Sequence, residues 1–136
     1  MSDIVIDTSI FINHIRGTSR DLQLLKEESI FKKFRLLVPH MVISELYAGE
    51  EVKRKIIRQE IEKILSNFGV VGLTEESAKI AGDLMRIYKQ IPDPIDLMIA
   101  AIALEQDAEV ATHNVKHFKQ IRGLKLFDFS KITKRN

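Results

Sequence analysis

The sequence contains neither cysteine nor tryptophan, and it has no long hydrophobic run. Without cysteine the chain has no disulfide framework, no thiolate zinc site and no cysteine nucleophile. Its longest uncharged apolar run covers residues 97–104, whereas a helix needs about 20 apolar residues to span a bilayer. The amino terminus carries an acid at Asp3 and lacks the charged-then-apolar layout of a secretion signal. These absences predict a soluble, cytoplasmic protein that does not associate with membranes.

The chain also lacks a large excess of either charge, since it has 21 Lys and Arg residues and 19 Asp and Glu residues. This balance is too even to indicate nucleic-acid binding from total charge alone. The hydrophobic share of 45% and the charged share of 29% are typical of a globular chain. No repeat, low-complexity tract or linker interrupts the sequence. We therefore expect one domain spanning residues 1–136, with a frayed basic tail at 131–136.

Short branched apolar runs alternate with helical patterns along the whole chain. Such alternation predicts βαβ units, a parallel sheet and helices on both faces, which is an α/β fold. Predicted strands cover residues 4–6, 35–38, 70–73, 109–112 and 124–129. Predicted helices include a short one that begins at Thr8 and ends at Gly17, followed by residues 21–34, 41–48, 50–65, 74–90 and 95–106.

Asp7 follows the first predicted strand, residues 4–6, without any intervening turn. An unbroken apolar strand of this kind is typical of a parallel sheet that is covered on both faces. Ligands of open α/β sheets bind just outside the carboxyl ends of the strands, where the strand order reverses. Asp7 is therefore a candidate for the first acid of a metal site. The alternative is that Asp7 only caps the helix that begins at Thr8.

Glu45 lies on a predicted helix whose nearby positions carry only apolar or small residues. A carboxylate in an apolar stripe must be paired, hydrogen-bonded, bound to a metal or neutral. Glu45 is therefore a second candidate ligand, and the alternative is a partly exposed glutamate on a loosely amphipathic helix. The neighbours three and four positions away are Met41, Val42, Ala48 and Gly49.

Asp96 occupies the first turn of the predicted helix 95–106, which has no polar side chain over residues 97–104. The alternative to a ligand role is a favourable interaction between the carboxylate and the helix dipole. Asp93 and Pro94 have simpler interpretations, as the N-cap and the first helical residue. Asp96 is therefore the third candidate acid, and Asp93 is assigned a structural role.

Asn114 lies just beyond the predicted strand that ends at Thr112, where asparagine also suits a turn. Together with Asp7, Glu45 and Asp96, it follows a strand or opens a helix near the expected crevice. Hard oxygen donors of this kind suit Mg²⁺ or Mn²⁺. Such ions stabilise the charge that develops on a phosphodiester during hydrolysis.

Other patterns are less informative, since the chain has no glycine-rich phosphate loop and no His-Glu-x-x-His motif. His113 and His117 have no nearby acid in sequence, so we expect both to be surface residues. Two basic clusters are candidates for contacts to phosphates, although helical pairs of Glu50 with Arg54 and Glu51 with Lys55 are an alternative role for the first. These clusters are Lys53, Arg54, Lys55 and Arg58, and Lys32, Lys33 and Arg35.

Four stretches of the chain resemble the PIN-domain ribonucleases, specifically the VapC-type toxins of toxin–antitoxin pairs. In order and spacing these stretches cover nearly the whole chain, which makes the resemblance specific. They are residues 6–9 (Ile-Asp-Thr-Ser), 43–49 (Ile-Ser-Glu-Leu-Tyr-Ala-Gly), 96–101 (Asp-Leu-Met-Ile-Ala-Ala) and 112–118 (Thr-His-Asn-Val-Lys-His-Phe).

The resemblance implies a three-layer α/β/α fold and an Mg²⁺- or Mn²⁺-dependent endoribonuclease that is inhibited by a small cognate antitoxin. By position, Asp7, Glu45 and Asp96 match the acidic catalytic and metal-binding residues of the family. Asn114 falls where the family often has a fourth aspartate, so it is expected to be an auxiliary ligand, and the second metal site is left open. Thr8 or Ser9 is expected to orient a water molecule.

Two other functions are compatible with the sequence. A phosphatase of the haloacid-dehalogenase type also begins with an apolar strand that ends in aspartate, but it needs a second aspartate where this chain has Ser9. A PIN fold whose site has decayed into a binding protein is favoured by Asn114. The resemblance also implies a homodimer, for which the apolar residues Leu22, Leu25, Ile56 and Ile57 are the expected surface.

Overall fold

The computed structural model describes residues 2–32 and 34–133, and its strands form one parallel sheet. The strands are β1 (Asp3–Ile6), β2 (Arg35–Pro39), β3 (Gly69–Val71), β4 (Glu109–Ala111) and β5 (Lys125–Leu126). Their order across the sheet is β3-β2-β1-β4-β5, and each neighbouring pair is parallel. The predicted parallel sheet is confirmed, with the last strand at an edge as expected.

Helices connect the strands and cover the sheet, which confirms the predicted α/β/α fold. The helix termini that the sequence predicted at Thr8, Ala48 and Gln106 match the structure. The helices are α1 (Thr8–Ile15), α2 (Asp21–Lys32), α3 (His40–Ala48), α4 (Lys55–Leu65), α5 (Glu75–Ile87), α6 (Pro94–Gln106), α7 (Val115–Phe118) and α8 (Ser130–Thr133), with a 3₁₀ helix at Glu50–Lys53.

The central strand β1 pairs with both β2 and β4, so strand order reverses between β1 and β4. Ile6 lies opposite Ala111, and the Asp7 amide donates to the Ala111 carbonyl at 3.0 Å. In open α/β sheets this reversal is the point where ligands bind. The topology therefore brings Asp7 and the residues that follow β4 to one place at the carboxyl edge of the sheet.

Helix α6 is the most deeply buried helix that the sequence predicted. Ile99 and Ile102 have no exposed surface, because residues 97–104 carry no polar side chain and the helix packs against α5 and β1. The Asp93 carboxylate accepts a hydrogen bond from the Ile95 amide at 2.9 Å, and Pro94 is the first helical residue. This cap fixes where the helix begins and so fixes the position of Asp96.

The helix predicted to begin at Glu50 is broken at Arg54, which has an extended backbone (φ −78°, ψ 120°). The predicted i,i+4 ion pairs therefore do not form. Glu50 pairs instead with Lys53 at 2.7 Å, and Glu51 lies 3.6 Å from the Arg16 guanidinium. The break turns α4 into a separate element that packs beside α1 and α3.

The predicted apolar dimer surface is placed differently by the structure. Leu22 and Leu25 are 1% and 0% exposed and belong to the core, so the prediction that they form a dimer surface is wrong. Ile56, from the same prediction, is 67% exposed. Ile30 lies on the same helix as Leu22 and Leu25, but it is 75% exposed.

The first part of the predicted basic tail is helical. Residues Ser130–Thr133 form α8, and Ile132 is buried. The expected fraying stays a prediction. The remainder of the predicted tail, residues 134–136, lies outside the described residues, as does Lys33 of the second basic cluster. No helix in the described ranges is long and apolar enough to cross a membrane.

Candidate metal centre

Three carboxylates meet at the carboxyl edge of the sheet. Asp7 directly follows β1, Glu45 lies on α3 after β2, and Asp96 lies in the first turn of α6. Asp7 and Asp96 are buried, at 4% and 8% exposure, and Glu45 is partly buried. The fourth candidate, Asn114, is the N-cap position of α7 and adjoins Asp96. The structure therefore brings all four candidate residues of the sequence to one region.

The Asp7 side chain does not cap α1, although Asp7 occupies the N-cap position. Its Oδ2 accepts hydrogen bonds from the hydroxyls of Thr112 at 2.7 Å and Ser9 at 2.8 Å. The Ser9 hydroxyl also accepts from the His113 amide, and the Thr112 hydroxyl accepts from the Asn114 amide. The two hydroxyls thus tie the loop after β4 to one oxygen of Asp7.

Glu45 is held from the neighbouring helix, because the Thr8 hydroxyl donates to Glu45 Oε1 at 2.5 Å. Burial raises the pKa of the Glu45 carboxyl, the Thr8 hydrogen bond opposes this, and the nearby carboxylates of Asp93, Asp7 and Asp96 raise it further. The expectation that Thr8 or Ser9 orients a water molecule is untested, but both hydroxyls hold carboxylates.

Asp96 is held through its Oδ2, which lies 3.0 Å from His117 Nδ1 and 3.5 Å from the Asn114 side-chain nitrogen. His117 Nδ1 is also 2.8 Å from that nitrogen, so it either accepts from the amide or donates to the carboxylate, depending on its tautomer. Burial raises the pKa of Asp96, the His117 hydrogen bond lowers it, and the charges of Asp7 and Asp93 raise it.

The three acids share one arrangement of their oxygens. One oxygen of each accepts a hydrogen bond from the protein, namely Asp7 Oδ2, Glu45 Oε1 and Asp96 Oδ2. Throughout the described part of the chain, no protein donor bonds to the second oxygen of any of them. Each carboxylate is thus fixed by one oxygen and offers the other to a ligand.

The donor set fits a hard divalent cation, since carboxylate oxygens are the ligands that Mg²⁺ and Mn²⁺ prefer. Among residues 2–32 and 34–133, no three acidic or histidine side chains stand close enough to hold an ion as they are placed. The carboxylates of Asp7 and Asp96 nevertheless lie near enough to Glu45 to raise its pKa by repulsion. A cation between them would remove that repulsion.

Sequence reasoning missed the surroundings of both histidines. His117 contacts Asp96, and His113 Nε2 lies 2.7 Å from Asp21 Oδ2 while its Nδ1 lies 2.6 Å from the Asn13 side-chain nitrogen. Both side chains are partly exposed, at 23% for His113 and 32% for His117, but each contacts an acid that the sequence did not indicate. Asp21 and Asn13 are 92 and 100 residues away from His113 in sequence, so the local sequence pattern could not predict the contacts.

Asp93 also lies closer to the centre than its capping role suggested. Its charge raises the pKa of both Glu45 and Asp96. Its Oδ1 accepts from the Ile95 amide, which confirms the predicted N-cap. The proximity of Asp93 follows from its place three residues before Asp96, at the end of α6 that faces the sheet edge.

Several residues of the two predicted basic clusters are paired with acids, whereas Arg54 and Lys55 are exposed and have no acid within 4 Å among the described residues. Arg35 lies opposite Asp3 at the amino-terminal edge of the sheet and pairs with it at 2.8 Å. Lys53 pairs with Glu50 and Arg58 lies 3.4 Å from Glu62. Arg58 also packs over the Tyr47 ring, 4.9 Å from its centroid. Contact of these clusters with phosphates stays a prediction.

Comparison with protein families matches residues 4–124 to the PIN domain. A curated relative, Ribonuclease VapC10 of Mycobacterium tuberculosis, is 35% identical over 127 residues, which cover 90% of each chain. A second, Ribonuclease VapC19 of the same organism, is 33% identical over 84% of this chain and 90% of its own.

The fold resembles solved structures of the same kind. A DNA-bound VapBC structure from Salmonella typhimurium matches with a TM-score of 0.81 over 95% of this chain and 99% of its own, at 22% identity. This likeness supports the α/β/α architecture with a central parallel sheet.

Proposed function

The chain belongs to the PIN-domain family, in the group of the VapC ribonucleases, and we propose that it is a divalent-metal-dependent endoribonuclease that acts as the toxin of a toxin–antitoxin pair. The metal is Mg²⁺ or Mn²⁺, and the reaction is the hydrolysis of an RNA phosphodiester bond. The acids that hold the metal are Asp7, Glu45 and Asp96, with Asn114 as an auxiliary residue.

One observation carries this proposal. Asp7, Glu45 and Asp96 come from three different elements, and each has one oxygen fixed by the protein and one oxygen without a protein donor. Structural carboxylates are satisfied by their partners, whereas these three converge, repel one another and keep an oxygen available. Such a set is what a hard cation requires.

The residues of the chain have separate tasks in this reaction. When bound, the ion would activate water and offset the negative charge on the phosphodiester. Thr112 and Ser9 orient Asp7, and Thr8 orients Glu45, so that ordering these side chains is not required at each turnover. His117 and Asn114 hold one oxygen of Asp96. Protein walls around the buried acids limit access of bulk water and strengthen every charge interaction.

The antitoxin partner has a candidate surface beside the same centre. A groove between α1, α3 and α4 has Glu45 in its lining, together with the charged Arg16 and Glu51 and the apolar residues Ile12, Ile15, Leu46, Val52 and Ile57. Hydrophobic grooves commonly bind the apolar face of a partner helix. We propose that the antitoxin occupies this groove and so blocks access to Glu45.

The direct test is cleavage of RNA by the purified protein with Mg²⁺, with Mn²⁺ and with a chelator. We expect cleavage only with metal, and we expect Asp7→Ala and Glu45→Ala to abolish it while the circular dichroism spectrum is kept. The matched control is Asp83→Ala, because Asp83 is an exposed acid paired with Arg86 on α5.

The alternatives give different results in the same assay. A decayed binding protein would leave RNA intact under all conditions, and a phosphatase would release inorganic phosphate from small phosphate esters. Wild-type turnover by Glu45→Ala would show that Glu45 is structural and that the three-acid site is wrong.

A further inference from the structure

The acidic centre creates an electrostatic problem for a polyanionic substrate. The negative charges of Asp7 and Asp93 lie close enough to Glu45 and Asp96 to raise the pKa of both carboxyls. One divalent ion offsets only part of this charge, and phosphates approaching the centre are repelled by the rest. Nucleic-acid binding proteins hold the backbone with Lys and Arg side chains. Cations that lie near the acidic centre and lack an acid partner are therefore the ones best able to bind the RNA backbone.

Several cations elsewhere on the surface are paired with an acid, although Arg20, Arg54, Lys55 and Lys63 have no acid within 4 Å among the described residues. Beyond Arg16, Arg35, Lys53 and Arg58, three exposed cations have carboxylate partners. Lys79 lies 3.4 Å from Glu75, Arg86 lies 3.1 Å from Asp83, and Lys125 lies 2.8 Å from Asp107. Their charges are locally offset, which reduces the field that they present to a polyanion.

The surface around α7 combines several unpaired cations with a position beside the acidic centre. Lys89, Lys116, Lys119 and Arg122 are all exposed, and none has an acid within 4 Å in the part of the chain that the structure describes. Lys116 and Lys119 are three residues apart, which brings their side chains to neighbouring positions of one helical turn.

Two contacts join the elements that carry these four cations. The Gln90 side chain donates to Gln120 Oε1 at 3.1 Å, and the Arg122 amide donates to the Tyr88 hydroxyl at 2.9 Å. Lys89 stands between Tyr88 and Gln90 and therefore beside the segment that follows α7. We call this surface, formed by Lys89, Lys116, Lys119 and Arg122, the α7 rim.

The α7 rim also adjoins the catalytic acids. His117, which follows Lys116 directly, contacts Asp96 Oδ2 at 3.0 Å, and Asn114 opens the same short helix. Helix α7 thus has polar residues facing the centre and cations facing solvent, with Phe118 buried as its anchor.

We propose that the α7 rim binds the phosphate backbone of the RNA on one side of the scissile bond. This inference rests on the proposed ribonuclease function and adds the path that the strand takes. The rim cations bind phosphates without reading base identity, because point charges recognise the backbone rather than base edges. Substitutions here are therefore expected to weaken binding of all sequences alike.

The test compares two triple variants that lower the net charge equally. The rim variant carries Lys116→Gln, Lys119→Gln and Arg122→Gln, and the control carries Lys79→Gln, Arg86→Gln and Lys125→Gln. Binding of a labelled, unstructured RNA oligonucleotide is measured against salt concentration in an Asp7→Asn background, which prevents cleavage. Each single-strand phosphate contact contributes about 0.7 to the slope of log affinity against log salt, so we expect the rim variant to lose roughly 2 from the slope and the control to lose nothing.

Cleavage by both triple variants with Asp7 intact separates the possible failures. We expect the rim variant to show a raised KM and the control to match the wild type. If the two variants have equal salt slopes and equal KM values while both still cleave RNA, the proposed role of the α7 rim is wrong. The proposed ribonuclease function is then unaffected. Binding of poly-glutamate, a model of an acidic protein, is measured with the same variants. A rim variant that loses poly-glutamate binding but keeps RNA binding would assign the α7 rim to an acidic protein partner and contradict the proposal. An unsubstituted protein that neither binds nor cleaves RNA would refute the proposed function, and the rim with it.

Discussion

The raised pKa of Glu45 allows the repulsion and burial of charge in the acidic centre to be tested through the pH dependence of stability. Burial and three neighbouring carboxylates raise its pKa above the ordinary value of 4.5. Folding therefore favours the protonated form, and the stability gained below pH 4.5 is lost as pH rises through the elevated pKa. In chelator, we expect Glu45→Gln to melt above the wild type at pH 7, with a difference that shrinks toward pH 4.

The control for this effect is Glu27→Gln, since Glu27 is an exposed glutamate on α2. Thermal unfolding from pH 4 to pH 8 measures both variants. A Glu45→Gln difference that is flat with pH would contradict the view that burial and the neighbouring carboxylates raise the pKa of Glu45.

We expect residue Asn114 to influence how strongly the centre binds cations. Its side-chain nitrogen lies 3.5 Å from Asp96 Oδ2, so Asn114→Asp adds a negative charge directly beside the acids. A charge pair about 4 Å apart is worth roughly 4 kcal/mol at an effective dielectric of about 20, before desolvation and carboxylate repulsion are subtracted. We expect a net gain of several-fold to about tenfold in Mn²⁺ affinity, with cleavage equal to the wild type or faster.

Titration calorimetry measures this gain, with Gln59→Glu as the control because it adds the same charge at an exposed position on α4. Identical Mn²⁺ affinities for Asn114→Asp and the wild type would remove Asn114 from the site.

Sequence alone predicted the four candidate positions because strand ends and helix starts are local features. Asp7 follows an unbroken apolar strand, and Asp96 follows a proline at the start of an apolar helix. The partners of these acids were not predictable in the same way. His117 and Thr112 lie 21 and 105 residues from the acids they contact, and only the sheet topology brings them together.

At the scale of whole elements, Thr74 caps helix α5 and also links it to α6 through a hydrogen bond. The Thr74 hydroxyl accepts from the Ser77 amide at 3.1 Å, and the Ser77 hydroxyl accepts from the Thr74 amide at 2.8 Å. Thr74 also donates to Glu105, near the end of α6, at 2.5 Å. The sequence predicted the N-cap, but the link to α6 depends on how the two helices pack.

We expect Thr74→Ala to lower the free energy of unfolding by about 1 to 2 kcal/mol, because it removes both the cap and a hydrogen bond to a carboxylate. This loss corresponds to a fall in melting temperature of roughly 3 to 12 °C. Thr74→Ser keeps both hydrogen bonds and serves as the control in calorimetry. A Thr74→Ala variant as stable as Thr74→Ser would show that the cap adds nothing.

Element boundaries were the least predictable feature of the chain. The run from Glu50 to Leu65 has helical spacing throughout, yet it breaks at Arg54. Hydrophobic spacing predicts which face of a helix is buried, but it does not predict where the backbone breaks between two helices. The break allows Val52 and Ile57 to line the groove beside Glu45.

At the scale of the whole molecule, exposed apolar side chains point to self-association. Phe31 and Ile30 are each 75% exposed, Ile56 is 67% exposed and Ile87 is 60% exposed. Contiguous apolar patches mark surfaces that bind another chain, whereas single exposed apolar residues are ordinary, so the adjacent Ile30 and Phe31 are the best candidates. We expect a homodimer with two-fold symmetry, which light scattering at micromolar concentration would record as twice the chain mass of 15.6 kDa. A monomer mass under those conditions would contradict the expectation.

The central claim is that Asp7, Glu45 and Asp96 act on one divalent ion, and a thermal-shift measurement with Mn²⁺ tests it most directly. A ligand that binds only the folded state raises stability by about 2.7 kcal/mol at 100 times its dissociation constant. We predict that millimolar Mn²⁺ raises the melting temperature of the wild type and of the control Asp83→Asn by several degrees, and that of Asp96→Asn by much less. Equal shifts in all three proteins would contradict the claim, because Asp96 would then not be a ligand.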